Sequence, residues 1–334
     1  MFVLHVAVRT IAPPPMHPQT FVVIPFEKRF TMSQRIASAV ALLMLVSVAG
    51  CGQVHRSIAP EADIAGEGAV TNAATLAKLD LADAALDSDD DDDRPGWHAR
   101  ATAINGPTTI TRPGDYRLAS NLQIASGDGI VIKANRVRLW LGDYRLRGPG
   151  NKQGRAITID GAEDVKIRGG KIERFGIGVA AIGSSDCSIK GVSIRGGDET
   201  ADPANGNPPQ IGILLVNSSE NRISRNHLHD VNLGIFVRGG GSYENVIRRN
   251  EVVAGDHGLL GICYNPAMGE GPAGPRKDRV TYNTLNRFNT GIQTSAQSER
   301  NLFRNNSISY FTAAYEDLNG SNIFERNRTR QITP

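Results

Sequence analysis

From Leu141 onward a pair of apolar residues five positions apart recurs along the chain: Leu141/Leu146, Ile167/Ile172, Ile189/Ile194, Ile223/Leu228, Ile247/Val252, Val280/Leu285, Phe303/Ile308 and Phe324/Thr329. Successive first members lie 26, 22, 34, 24, 33, 23 and 21 residues apart. Eleven residues after the first member of most pairs comes a small residue followed by a larger one: Gly178-Val179, Gly234-Ile235, Gly258-Leu259, Gly291-Ile292 and Ala314-Tyr315. Short β-branched runs broken by Gly, Asn and Asp read as strands, three to a period of about 22 residues, and a fixed period means a solenoid in which each coil stacks on the next.

A second periodic column narrows the architecture. Three positions after the first member of each of the last five pairs, Ile223, Ile247, Val280, Phe303 and Phe324, stands an asparagine: Asn226, Asn250, Asn283, Asn306 and Asn327. Asparagine tolerates left-handed backbone at a tight turn, and stacked copies can hydrogen-bond one another between coils. Leucine-rich repeats also carry periodic Asn and Leu, but their LxxLxLxxN grammar is missing. Over roughly residues 102–334 the chain resembles the right-handed parallel β-helix, the pectate-lyase-like architecture. The resemblance implies an all-β solenoid of about eight or nine coils, and a repeat grammar of this kind says little about function.

The chain ahead of the repeat is organised differently. From Met32 it reads "MSQRIASAVALLMLVSVAGCG", with a basic start at Arg35, an apolar run from Ala37 to Val48 and small residues before Cys51, the layout of a secretory signal. That run is too short to span a membrane. Its ending "SVAGC" resembles the bacterial lipobox, which implies cleavage before Cys51 and a lipid on its sulfur. The expected organisation is therefore an untranslated upstream extension over 1–31, a lipoprotein signal over 32–50, an acidic tether over 51–96 and the β-helix domain over 97–334. The tether holds "DSDDDDDRPG" and too few large apolar side chains to offset the cost of ordering it. Its run from Asp89 to Asp93 reads as a self-repelling spacer, with weak calcium binding as the alternative.

Removing the tether changes the charge. The whole chain carries 37 Lys and Arg against 34 Asp and Glu, a net +3. Residues 94–334 carry 31 against 22, a net +9. A basic exported protein attracts anionic partners, and acidic polysaccharide and lipopolysaccharide are more available to it than nucleic acid, which is not expected as a partner. Cys187 and Cys263 fall on different strands of separate coils, too far apart for a disulfide, and read as packed thiols.

Two coils exceed the base period by about ten residues, at 196–210 and 265–278, and these loops are expected to wall a groove on the sheet that carries the glycine-led strands. Its floor would be Leu214 and Val216, Phe236 and Arg238, Leu260 and Ile262, Gln293 and Ser295. Of these, Phe236 could stack on a sugar and Arg238 could hold a carboxylate, with Leu214, Leu260 and Gln293 completing a substrate-binding surface; the same residues could equally pack beneath the loops.

Pectate lyases would show clustered acidic residues for calcium beside an Arg or Lys base, and this floor has none. Hydrolysis of the polygalacturonase kind needs a paired acid and carboxylate. The acidic side chains near the groove are Asp198, Glu199, Asp202, Asp230, Asp256, Glu270 and Asp278. The alginate-epimerase DPHD signature is absent as well, "CYNPA" sharing only Tyr and Pro with it. The remaining catalytic candidates are Asp256 and His257 of "GDHG" with Tyr264 and Lys277: His as base, Tyr as acid, Lys or Arg238 neutralising a uronic carboxylate.

The stretch "SRNHLHDVNLGIF" places His227, His229 and Asp230 within four positions. Leu228 points inward as an anchor, so the histidines share the outer face. Their neighbours by coil are Ser193 and Glu251 for His227 and Arg195 and Val253 for His229. No third ligand joining both histidines is evident beyond Glu251 on one side, so the stretch reads as solvated strand with no metal assigned.

The sequence supports a monomeric, lipid-anchored protein of the bacterial cell envelope, at the outer membrane or periplasmic face, with no required cofactor. It binds an acidic polysaccharide, and whether it also processes it, as lyase, epimerase or hydrolase, is left open by the sequence. The alternatives are a non-catalytic envelope lipoprotein binding glycan or protein, and a periplasmic accessory to metal maturation.

Overall fold

The computed structural model describes residues 100–150, 152–197, 209–256, 258–265, 273–318 and 320–333. The expected signal peptide, Cys51, the expected tether, most of the first long loop and half of the second lie outside the described residues. No helix among the described residues is long and apolar enough to cross a membrane.

The described chain is a parallel β-solenoid of about eight complete coils. It opens with β1 (Thr102–Ile104) and β2 (Thr108–Ile110). Three coils follow: β3 (Gly114–Leu118), β4 (Leu122–Gln123) and β5 (Ile130–Ile132); β6 (Val137–Arg147) and β7 (Arg155–Asp160); β8 (Val165–Glu173) and β9 (Ile177–Ile182). The middle of the stack holds β10 (Ser188–Lys190), β11 (Ser193–Arg195) and β12 (Ile211–Val216), then β13 (Arg222–Ser224), β14 (His227–Val231) and β15 (Leu233–Arg238). Next come β16 (Val246–Arg248), β17 (Glu251–Ala254) and β18 (Leu260–Asn265), then β19 (Arg279–Thr281) and β20 (Thr284–Thr294). The last elements are β21 (Leu302–Arg304), β22 (Ser307–Asp317), β23 (Ile323–Glu325) and β24 (Arg328–Gln331). The long strands β6, β8, β20 and β22 turn a corner and serve two faces at once.

Every strand pairs in parallel with its counterpart one coil away, which makes three sheets around one core. The first sheet stacks Leu139, Ile167, Ile189, Ile223, Ile247, Val280 and Phe303 inward. The second stacks Leu146, Ile172, Ile194, Leu228, Val252, Leu285 and Ile308. The third stacks Ile157, Val179, Ile213, Ile235, Ile262 and Ile292. All are buried and belong to one continuous cluster. At about 1.5–3 kcal/mol for each fully buried side chain, these columns are the main stabilising element of the stack.

The small residue leading each third-sheet strand follows from the corner between the second and third sheets. A Cβ at Gly234 would collide with the Val252 side chain and the Gly261 carbonyl of the next coil, and one at Gly291 with Ile308 and the Ala314 carbonyl. The corner therefore admits no side chain at most coils.

The expected columns need two corrections. Leu139, not Leu141, stacks on Ile167, because β6 carries extra residues around Gly142, where its register against β8 shifts twice. The third-sheet strand of the sixth coil is led by Gly261, not Gly258: Ile262 pairs with Ile235 and Ile292. Gly261 stands nine positions after its anchor Val252, where Gly234 stands six after Leu228, so the corner is longer there.

Asn226, Asn250, Asn283, Asn306 and Asn327 do form a ladder. Each Nδ2 donates to the Oδ1 of the next, at 2.9–3.0 Å, and also to a main-chain carbonyl of the preceding coil, as Asn250 does to Ile223. The left-handed backbone, however, belongs to the residue before each asparagine, with φ of 54° at Arg225 and 53° at Arg249. The asparagine itself points inward and satisfies polar backbone groups that the turn would otherwise bury unpaired.

A second ladder, not expected from the sequence, runs through Asn221, Asn245, Asp278, Asn301 and Asn322. Each member stands two residues before a first-sheet anchor, a spacing as regular as that of the first ladder. Cys187 occupies the same position one coil earlier, where its N–H donates to Asn221. Neither Cys187 nor Cys263 is in a disulfide and both are buried, and burial pushes the Cys187 thiol up to about 12.

Candidate functional site

The groove floor is the outer face of the third sheet, and its register differs from expectation. Leu214 and Phe236 stack side by side as expected, but the next member is Cys263, followed by Gln293. Leu260 instead joins the row of Ile211 and Leu233. Ile262 points into the core.

This floor is closed to solvent. Leu214, Leu233 and Phe236 are 6–7 % exposed and form a second apolar cluster with Ala180, Ile211 and Cys263. Gln293 is spent on Glu316, to which its Nε2 donates at 2.6 Å. Arg238 stands half-buried beside Asn265. The described floor is thus a packing surface rather than an open apolar platform.

The expected catalytic group is dispersed. Tyr264 turns inward against Phe303 and is 1 % exposed, its hydroxyl facing the Asp278 carboxyl. Burial, then Asp278, pushes its pKa far above the usual range, so it is no acid for an external substrate. Lys277 occupies a left-handed turn on the outside and pairs with Glu244 at 3.2 Å. Asp256 is exposed and pairs with Arg287 at 3.2 Å. His257 lies outside the described residues.

Two other faces carry organised polar chemistry. On the first sheet the outward residues stack into two columns. One reads Arg138, Lys166, Ser188, Arg222, Val246, Arg279 and Leu302. The other reads Trp140, Arg168, Lys190, Ser224, Arg248, Thr281 and Arg304. These fourteen positions include eight cations and no acid. Arg248 and Arg304 are buried, the other six half-buried. Arg138 reaches Asp115 on β3 at 2.6 Å, and Arg168 donates to Ser188 at 2.8 Å.

On the second sheet the outward face is open. A cavity of about 270 Å³ is lined by Lys171, Glu173, Ser193, Arg195, His229 and Asp230. Arg195 pairs with Asp230 at 2.9 Å, and Arg145 with Glu173 at 3.2 Å. His227 Nδ1 stands 3.1 Å from Glu251 Oε2, and its ring centroid lies 4.2 Å from that of His229. Burial, then the neighbouring His227, lowers the His229 pKa. The coil register read from the sequence correctly places Ser193 and Glu251 beside His227 and Arg195 and Val253 beside His229, but the five-residue anchor spacing does not reveal the hollow beside them.

A family profile described as the right-handed β-helix region matches residues 118–266. No curated protein matches the chain. Among solved structures, the chain is similar to the Dettilon tailspike protein at 14 % identity and a TM-score of 0.49, covering 69 % of this chain and 55 % of that one. It is also similar to a mutant tailspike of E. coli bacteriophage HK620 in complex with a hexasaccharide, at 11 % identity, a TM-score of 0.36 and coverage of 69 % and 51 %. The chain spans about half the length of the solved structures it matches.

Proposed function

We propose that this protein is an exported, lipid-anchored solenoid that binds an acidic polysaccharide along the cation columns of its first sheet. In this reading Cys51 carries the lipid, residues 51–96 are the tether and the β-helix is the binding body in the cell envelope. The observation that carries it is the parallel register itself. Arg138 lies against Lys166, and Arg168 against Lys190, in adjacent coils roughly 4.8 Å apart. Like charges placed directly opposite one another destabilise a sheet. Arg138 is also held by Asp115, and a polyanion lying across both columns offsets the repulsion at both pairs, whereas a single small anion relieves only one.

The half-buried part of the surface, ahead of the buried Val246 and Arg248, runs from Arg138 to Arg222, with Trp140 at one end as a ring on which a sugar face can stack. The reading is of binding without turnover, because Asp256, Tyr264 and Lys277 do not converge. The test is retention of the full-length protein on immobilised polygalacturonate or alginate across a salt series. Binding is expected at low ionic strength, falling steeply with salt as exposed charges are screened. The pair Lys166→Glu and Lys190→Glu is expected to weaken it by about tenfold or more, equivalent to about 1.4 kcal/mol, with an unchanged circular dichroism spectrum. Equal retention of this variant, or no binding to any anionic glycan at low salt, overturns the proposal.

A further inference from the structure

His227 and His229 flank the buried Leu228 on β14, so both imidazoles leave the second sheet on its outer side. The next coil supplies Glu251, the register partner of His227. One ligand atom from each of the three lies within 4.8 Å of the other two, and this is the one such group of His, Cys, Asp or Glu among the described residues. The strand geometry explains the convergence. Alternate residues on one strand and neighbours on adjacent strands form a triangle with sides of roughly 5 and 7 Å at the backbone, which side chains of this length close inward.

We propose that His227, His229 and Glu251 form a binding site for a divalent transition metal ion of the zinc class, with a fourth coordination position left to water or an anionic ligand. Two imidazoles and one carboxylate are a zinc donor set of the open kind, whereas calcium calls for six or more oxygens. The neighbours favour a cation. Ser193 flanks His227 and Val253 flanks His229, both uncharged. Thr284 lies beyond Glu251. The one cation in register with the group, Arg195, is held by Asp230. The cavity bordered by His229 and Lys171 leaves room for a fourth ligand.

The site is independent of the glycan reading, since it lies on a different sheet from the cation columns. The experiment is calorimetric titration of chelator-stripped full-length protein with zinc chloride, repeated with cobalt to read ligand-field absorption. One saturable site is expected, with visible cobalt bands of the tetrahedral type. His229→Ala and Glu251→Gln are each expected to weaken zinc binding by about tenfold or more, at unchanged circular dichroism, and excess calcium is expected not to displace the zinc. Zinc binding unaltered by these substitutions assigns the metal to another part of the chain and overturns the proposal, as does the absence of saturable binding.

Discussion

Asp278 is the residue whose chemistry fits its position least comfortably. Its ladder neighbours Asn245 and Asn301 each donate an Nδ2 hydrogen to a main-chain carbonyl of the preceding coil, Ser218 and Pro275 respectively. Ionised Asp278 has no such hydrogen. Its Oδ1 accepts from the Asn245 N–H at 2.8 Å and from Asn245 Nδ2 at 3.2 Å, while Tyr264 and Arg276 are the titratable and charged groups facing it. Burial raises its pKa from 3.8 to about 7, against the lowering effect of Asn245, Tyr264 and Arg276. A folded-state pKa above the unfolded one stabilises fully below about pH 4 and loses that stabilisation as pH rises through about 7. Asp278→Asn restores the missing donor. It is therefore expected to raise the melting temperature more at pH 8 than at pH 5, by an amount corresponding to roughly 2–4 kcal/mol at the higher pH. A variant whose gain is the same at both pH values would show that Asp278 does not titrate in this range.

At the scale of the elements, stability is shared between apolar columns and asparagine ladders, and the ladders hold the turns. Asn250 accepts from the N–H and Nδ2 of Asn226 and donates to Ile223 and Asn283, all buried. Its replacement by Ala leaves several of those groups unpaired, each at about 1–3 kcal/mol. Asn250→Ala is expected to lower stability by about 2–4 kcal/mol, and Asn327→Ala, in the half-exposed last rung, by about 1 kcal/mol. Equal shifts of the two denaturant midpoints would contradict a ladder whose worth depends on burial.

These elements also show what the sequence makes legible. The anchor columns and the first ladder can be read because one inward position per turn tolerates only one kind of side chain. The second ladder is just as periodic, but Cys187 and Asp278 interrupt its asparagines and hide it. Register fails where the chain inserts residues without disturbing the visible spacing. Gly258 sits at the expected distance from Ile247, yet the extra corner residues pass the strand's leading place to Gly261, and that moves Leu260 and Ile262 off the expected floor. The expected place of Tyr264 in the catalytic group is lost for the same reason: alternation sends Tyr264 inward once Gly261 leads the strand. The burial of the apolar floor depends on what lies over it, which no local pattern encodes.

Across the whole molecule, a solenoid distributes its stability coil by coil, since each coil contacts only its neighbours and a terminal coil has one neighbour where an inner coil has two. Phe303 and Phe324 test this on one column. They stack at 4.7 Å between centroids and pair in register on β21 and β23, but Phe303 is fully buried and also meets Tyr264 edge-on at 5.5 Å. Phe324 is half-buried against Tyr315, with Ile323 beside it 49 % exposed. Removing Phe303 opens a cavity beneath the Tyr264 ring and loosens the cover of Asp278, so Phe303→Ala is expected to cost about 3–5 kcal/mol of global stability. Phe324→Ala is expected to cost about 1–2 kcal/mol, because the outer coil can open at less than the global free energy. Amide exchange is expected to separate the two cases: Phe324→Ala speeds exchange only in β23 and β24, whereas Phe303→Ala speeds it across the stack. Uniform acceleration by both would mean that the coils unfold as one cooperative unit rather than from the exposed end inward.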